Sequence, residues 1–251
     1  MIETLEHGRV HEIRLARPPV NALDSAMLAA LIDALRSVCA RNPGAIVLSG
    51  QPGMFSAGLD VPRLLGYSRQ QMLEFWSHFF GAQQALAACA VPVAAALTGH
   101  SPAGGAVLAL QCDYRVMAEG KYRIGLNEVQ VGLFPGPTIY AAFKRLVGTR
   151  NADRLMSGGV MLSPPEALAA GLVDRVVPEG EVIGAALEWA QHMASLPPRA
   201  LALTRRMARA DLVALTASLG AADYEAMNEA WYSEETQATM RKLVDKLRKS
   251  Q

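Results

Sequence analysis

F-W-S-H-F-F-G-A-Q-Q-A-L-A-A-C-A-V-P-V-A-A-A-L-T-G-H-S-P-A-G-G-A-V-L-A-L-Q-C, residues 75–112, holds no Asp, Glu, Lys or Arg. A run this long raises the question of a membrane span, which needs about 20 consecutive apolar residues. Pro92, Gly99, Pro102, Gly104 and Gly105 punctuate it, and Gln83, Gln84, Thr98 and His100 interrupt its apolarity. It therefore reads as the end of a helix, a buried strand over 91–97, a turn, and a helix over 103–111.

The same alternation continues on both sides. R-V-H-E-I-R-L-A (9–16) alternates apolar and polar residues as a half-buried strand does. Asp24 or Ser25 caps a helix running to about Arg41, with Leu28, Leu31, Ile32, Leu35 and Val38 at spacings of three and four, and Asn42-Pro43-Gly44 stops it. A-I-V-L-S (45–49) is a buried strand, followed by the glycine-bearing loop G-Q-P-G-M-F-S-A-G-L-D (50–60) and a helix from Ser68 to about Ala90. Asp113 to Ala118 is a further strand. Beyond about residue 137 the pattern is helical, over 138–147, 150–158, 164–170, 181–195, 199–231 with a break, and 233–249. Strands alternating with helices predict an α/β architecture with covered sheets. Ser195-Leu196-Pro197-Pro198 marks a boundary, dividing a core over 1–195 that carries the site from a helical segment over 196–251.

Bulk composition narrows the function classes. The 251 residues are 51% hydrophobic and 19% charged, below the roughly 25% of an average soluble domain, which excludes a disordered or low-complexity scaffold. A net charge of +1 with interleaved signs leaves no footprint for nucleic acid or an anionic membrane, so a small ligand is expected. Cys39, Cys89 and Cys112 are odd in number and widely spaced, indicating neither a disulfide framework nor a zinc site, and a reducing compartment fits them. The acidic start M-I-E-T-L-E and the end L-R-K-S-Q carry no targeting signal, so a cytoplasmic location is expected.

No dinucleotide, P-loop or zincin motif occurs. G-H-S-P-A (99–103) approaches a nucleophile elbow but fails physically: the residue after the serine must offer an N–H to an oxyanion, and Pro102 has none. Lone His100 reads as structural or pocket-lining. Two glycine-bearing turns after buried strands, F-S-A-G-L-D (55–60) and S-P-A-G-G (101–105), can each present backbone N–H groups, the second at a helix start that favours negative charge.

These turns, with P-P-V-N-A-L (18–23), A-A-L-T-G-H-S-P-A-G-G (95–105), C-D-Y-R-V-M-A (112–118), Y-R-I-G-L-N-E (122–128) and G-L-V-D-R-V-V-P (171–178), resemble the crotonase (enoyl-CoA hydratase/isomerase) superfamily over most of the chain. The resemblance implies an α/β spiral of ββα units with a C-terminal helical segment, assembled as a trimer or dimer of trimers. It implies an acyl-CoA thioester held with its carbonyl oxygen between the N–H groups of Leu59 and Gly104, with no metal or redox cofactor. Ala57, Gly58, Asp60 and Val61 would line the thioester and adenine region, and Asn127 would lie beside the substrate.

The acids separate the subtypes. Hydratases of this superfamily resemble one another in two glutamates, the first three residues after the donor glycine; here that position is Val107, and the second is Glu128. One carboxylate suits a 1,3-proton shift, since no water has to be activated. S-P-A-G-G with Y-R-I-G-L-N-E is similar to the Δ3,Δ2-enoyl-CoA isomerase branch, implying conversion of 3-enoyl-CoA to trans-2-enoyl-CoA in fatty acid oxidation, whereas G-L-F-P-G-P (132–137) is closer to hydratase wording. Two alternatives remain: another single-glutamate reaction, hydratase-like or decarboxylase-like, and a non-catalytic acyl-CoA-binding homologue. Trp76, Phe79 and Phe80 read as core packing or as a border of the acyl tail. Asp60 reads as a helix cap, Asp113 as an anchor and Glu119 as surface. Lys242, Lys246, Arg248 and Lys249 read as a solvated face or a contact for CoA phosphates.

Overall fold

The computed structural model describes residues 1–249, with the side chains of Leu247 and Arg248 outside the description. Nine strands are described: β1 (Ile2–His7), β2 (Val10–Leu15), β3 (Ala45–Ser49), β4 (Gly53–Met54), β5 (Val93–Leu97), β6 (Gly99–Pro102), β7 (Tyr114–Ala118), β8 (Ile124–Gly125) and β9 (Arg175–Val177). The helices are α1 (Ser25–Cys39), α2 (Val61–Leu64), α3 (Arg69–Ala87), α4 (Gly104–Leu110), α5 (Pro137–Val147), α6 (Thr149–Ser157), α7 (Pro164–Ala169), α8 (Val182–Ser195), α9 (Pro198–Ala208), α10 (Ala210–Ala217), α11 (Ala221–Trp231) and α12 (Glu234–Lys249).

Six strands form one sheet in the order β1-β2-β3-β5-β7-β9, antiparallel only between β1 and β2, and a second sheet runs β4-β6-β8. Three successive passes of the chain, β3 then β4, β5 then β6, β7 then β8, each give one strand to each sheet before turning into helical structure. This is the spiral of ββα units. Its pitch brings Gly53 beside Gly99 and Ser101 beside Ile124, so the loops leaving β4, β6 and β8 stack at one end.

Period-two burial explains the part of the charge-free stretch that forms β5. Along β5, Val93, Ala95 and Leu97 enter the large core, while Ala94 and Ala96 face the opposite side and meet α8. With both faces covered, no position tolerates a charge. Ala185, Ala186, Ala190 and Ala194 on α8 are small, so that helix lies close on the sheet. Phe75, Trp76, Phe79 and Phe80 of α3 pack among themselves and against Trp231 and Tyr224 of α11, which assigns them to core packing. No helix among the described residues is long and apolar enough to cross a membrane.

The sequence expectations differ from the structure in several places, the short β4, β8 and α2 among them. The stretch 99–102, expected as a turn, is the strand β6; β1 and β9 were not anticipated; and 199–231 is three helices rather than one with a break. The strand expected from 91 begins at Val93, after Pro92, which has no N–H to give to a ladder. Asp113 is an anchor: it accepts from the Val93 amide and from Arg205 at 2.8 Å each and pairs with Arg209 at 3.1 Å, tying α9 and its C-terminal end to the sheet. Glu119, Lys242, Lys246 and Lys249 are exposed; the side chain of Arg248 falls outside the described residues.

Candidate active site

The first loop of the site is held by its neighbour in space, 18–23. Asn21, fully buried, donates from Nδ2 to the Phe55 carbonyl at 3.0 Å and accepts from the Arg17 amide at 2.8 Å. The Ala57 amide donates to Val20 O, Leu23 N to Gly58 O, and Asp60 N to Leu23 O. The Leu59 amide, between the last two, donates to no acceptor among the described residues. Gly58 has φ +82, and a Cβ there would sit 3.1 Å from the Gly104 nitrogen. That position combines a left-handed backbone with close contact, so glycine is required.

The second loop carries its own strain. Ala103 precedes α4 with φ 44 and ψ −118, a region that L-residues rarely occupy. It is held there from outside, by Ala103 N to Gly125 O at 2.8 Å and Ser101 N to Arg123 O at 2.9 Å. The conformation leaves the Gly104 amide, at the first position of α4, with no acceptor among the described residues. A Cβ on Gly105 would come within 2.6 Å of Ser56 O, so the two loops interlock backbone to backbone.

Beside them lies a cavity of about 690 Å³. Ala57, Leu59, Asp60 and Val61 form one wall, Pro102 and Ala103 a second, Asn127 and Glu128 a third. Gly58 and Gly104 form the seam where the two loops meet. Val107 is fully buried in the core and is not on the wall, nor are Ser101 or His100, whose ring packs edge-on against Tyr122.

The wall bears two carboxylates with different surroundings. Asp60 caps α2 through the Arg63 amide at 3.3 Å and pairs with Arg17 at 2.8 Å, as befits a structural acid. Glu128 opens a 3₁₀ turn (Glu128–Val131), is only 9% exposed, and leaves Oε2 buried without a partner. Burial raises its pKa from 4.5 to about 7, because no cation compensates the desolvated charge. Asn127 Oδ1 is likewise buried and unpartnered. Two adjacent unsatisfied polar groups on a largely apolar wall mark where a ligand's polar atoms belong.

Several wall residues had no role in the sequence reading: Pro19, Val20, Ala22, Met54, Val131, Leu133 and, from α12, Met240, Leu243 and Val244. The α12 residues recur at three and four, the signature of a helix face laid on something apolar. That signal shows a buried face and says nothing of what it faces, because its partner lies more than 100 residues earlier. The cavity therefore draws on both sides of the 195/196 boundary.

The fold is thus a doubly layered α/β spiral in which two loops with free amides converge beside one desolvated carboxylate. The chain belongs to the enoyl-CoA hydratase/isomerase family, whose model matches residues 6–250. It is 34% identical over 212 residues to the human mitochondrial enoyl-CoA delta isomerase 1, covering 83% of this chain and 70% of that protein. The crystal structure of human mitochondrial delta3-delta2-enoyl-CoA isomerase superposes with a TM-score of 0.94 at 30% identity, over 100% of this chain and 99% of that one. An enoyl-CoA hydratase, EchA3 from Mycobacterium ulcerans, superposes at 0.84 with 27% identity, over 90% and 98%.

Proposed function

We propose that the protein isomerises 3-enoyl-CoA to trans-2-enoyl-CoA in the β-oxidation of unsaturated fatty acids, using Glu128 as its single acid-base group. The observation that carries this reading is the buried, unpartnered Oε2 of Glu128 on a wall whose other carboxylate is committed to Arg17 and to a helix cap.

The thioester oxygen sits between the Leu59 and Gly104 amides. A proton beside a thioester is too weakly acidic for a carboxylate unless the developing oxyanion is stabilised, and one such donor contributes typically about 3 kcal/mol. Backbone donors locked by interlocking loops need little reorganisation as charge develops. Glu128 removes a proton from C2, the electrons delocalise into a dienolate, and the same carboxyl returns the proton to C4. A group with a pKa of about 7 serves both halves of the cycle near neutrality.

Ala57, Gly58, Asp60 and Val61 flank the thioester and adenine end, and Asn127 lies beside the reacting carbons. The apolar surface of Val131, Leu133, Met240, Leu243 and Val244 receives the acyl tail. The apolar wall and the absence of a second uncommitted acid among its residues favour a proton shift over hydration. We also propose a cytoplasmic location, on cysteine usage, and a homotrimer or dimer of trimers, on the family resemblance; cell fractionation and light scattering test these.

The deciding experiment incubates the protein with trans-3-hexenoyl-CoA and with crotonyl-CoA, then repeats both with Glu128→Gln. Fast isomerisation of the first, little hydration of the second, and a loss of at least about 10²-fold in the variant are expected. Efficient hydration by the wild type assigns the hydratase-like alternative, and binding without turnover assigns the non-catalytic one.

A further inference from the structure

Cys39 and Cys89 are 50 positions apart in sequence, and neither belongs to the cavity wall. Cys39 is the last residue of α1, and Cys89 lies two residues beyond the end of α3. These helices pack side by side, which brings the two sulfurs to 3.6 Å. Cys39 is half-buried and Cys89 is buried. Arg205 of α9 donates to the Cys89 carbonyl while paired with Asp113, so a fixed guanidinium stands beside the two thiols.

We propose that Cys39 and Cys89 form an oxidant-sensitive dithiol, in which a hydroperoxide oxidises Cys39 and Cys89 then closes an intramolecular disulfide. The Cys39 thiolate attacks the peroxide O–O bond, giving a sulfenic acid and releasing water or an alcohol once the departing oxygen takes up a proton. Cys89 sulfur then displaces hydroxide from the sulfenic sulfur, and its thiol proton leaves with that hydroxide as water. Two thiols lose two electrons and two protons, and the peroxide takes up both.

The roles follow from the surroundings. A hydrogen bond from the Cys89 thiol and the charge of Arg205 lower the Cys39 pKa, while that same hydrogen bond, together with burial, holds Cys89 protonated. The more accessible sulfur is thus the nucleophile and the buried one the resolving thiol. Cys112 supplies an internal control: it is 2% exposed, and burial pushes its pKa up to about 12.

The test treats the native full chain with hydrogen peroxide, alkylates remaining thiols with N-ethylmaleimide in denaturant, and counts adducts by intact mass. Untreated protein takes three labels. Oxidised protein takes one, on Cys112, with a Cys39–Cys89 crosslinked peptide that a phosphine reductant reverses. In Cys89→Ser the oxidation stops at a sulfenic acid on Cys39 that dimedone traps. In the untreated native protein, Cys39 reacts with iodoacetamide at least about a hundredfold faster than Cys112. Three labels retained after peroxide, a bridge between chains, a bridge to Cys112, or oxidised Cys39 with Cys89 still free to be labelled would each overturn the proposal. All are read on the wild type, so they do not depend on the folding of a variant.

Discussion

Replacing Glu128 with Gln should cost activity and add stability, with a pH signature that separates a desolvated base from an ordinary buried side chain. The carboxyl titrates at 4.5 in an unfolded chain and at about 7 in the fold. Below 4.5 it is protonated in both states and adds no pH-dependent term. As pH rises from 4.5 to 7 the unfolded chain ionises first, so folding stability is lost progressively, and above 7 the loss is constant. At 1.36 kcal/mol per tenfold in proton affinity, the gap sets a ceiling of about 3 kcal/mol, and at 9% exposure solvent screening removes little of it. Glutamine has nearly the same shape and cannot ionise. Urea unfolding of ligand-free wild type and Glu128→Gln at pH 5 and pH 8 should therefore show a stability difference that shifts in favour of the variant by roughly 2–3 kcal/mol between the two pH values. In parallel, wild-type kcat/KM should rise with pH up to about 7 and level off. A stability difference that does not move with pH would refute the assignment of Glu128 as a desolvated base.

Other perturbations report on other parts of the site. Gly58→Ala places a methyl 3.1 Å from the Gly104 nitrogen at φ +82, so kcat should fall by at least about 10²-fold with the circular dichroism spectrum preserved. Met240→Trp fills the α12 side of the cavity; the ratio of kcat/KM for a dodecenoyl to a hexenoyl thioester should drop by about tenfold or more, and an unchanged ratio removes α12 from the acyl path. Asp113→Ala leaves Arg205 and Arg209 without their carboxylate, Arg209 at 5% exposure, and should destabilise the fold by about 3–5 kcal/mol in thermal or urea unfolding.

The charge-free run, the three- and four-residue periodicity of α1 and the glycine-bearing turns made the α/β alternation legible, because each reports locally on burial or on a required backbone angle. β1, β6 and β9 were illegible for a related reason: two are short or at a sheet edge, and β6 is a strand only because β4 and β8 lie on either side of it. Ala103 is the sharper case. An alanine at positive φ carries no sequence signal; the bonds from Ala103 to Gly125 and from Ser101 to Arg123, both to a distant segment, help hold it there. Sequence alone thus determined which residue types could do the chemistry: one glutamate at 128, valine at 107, and two turns able to present amides. It could not determine that Asp60 pairs with Arg17, that Glu128 Oε2 is left without a partner, that α12 walls the cavity, or that Cys39 meets Cys89. Each of those depends on groups brought together from distant parts of the chain, and desolvation and pairing are properties of that assembled environment rather than of any residue within it.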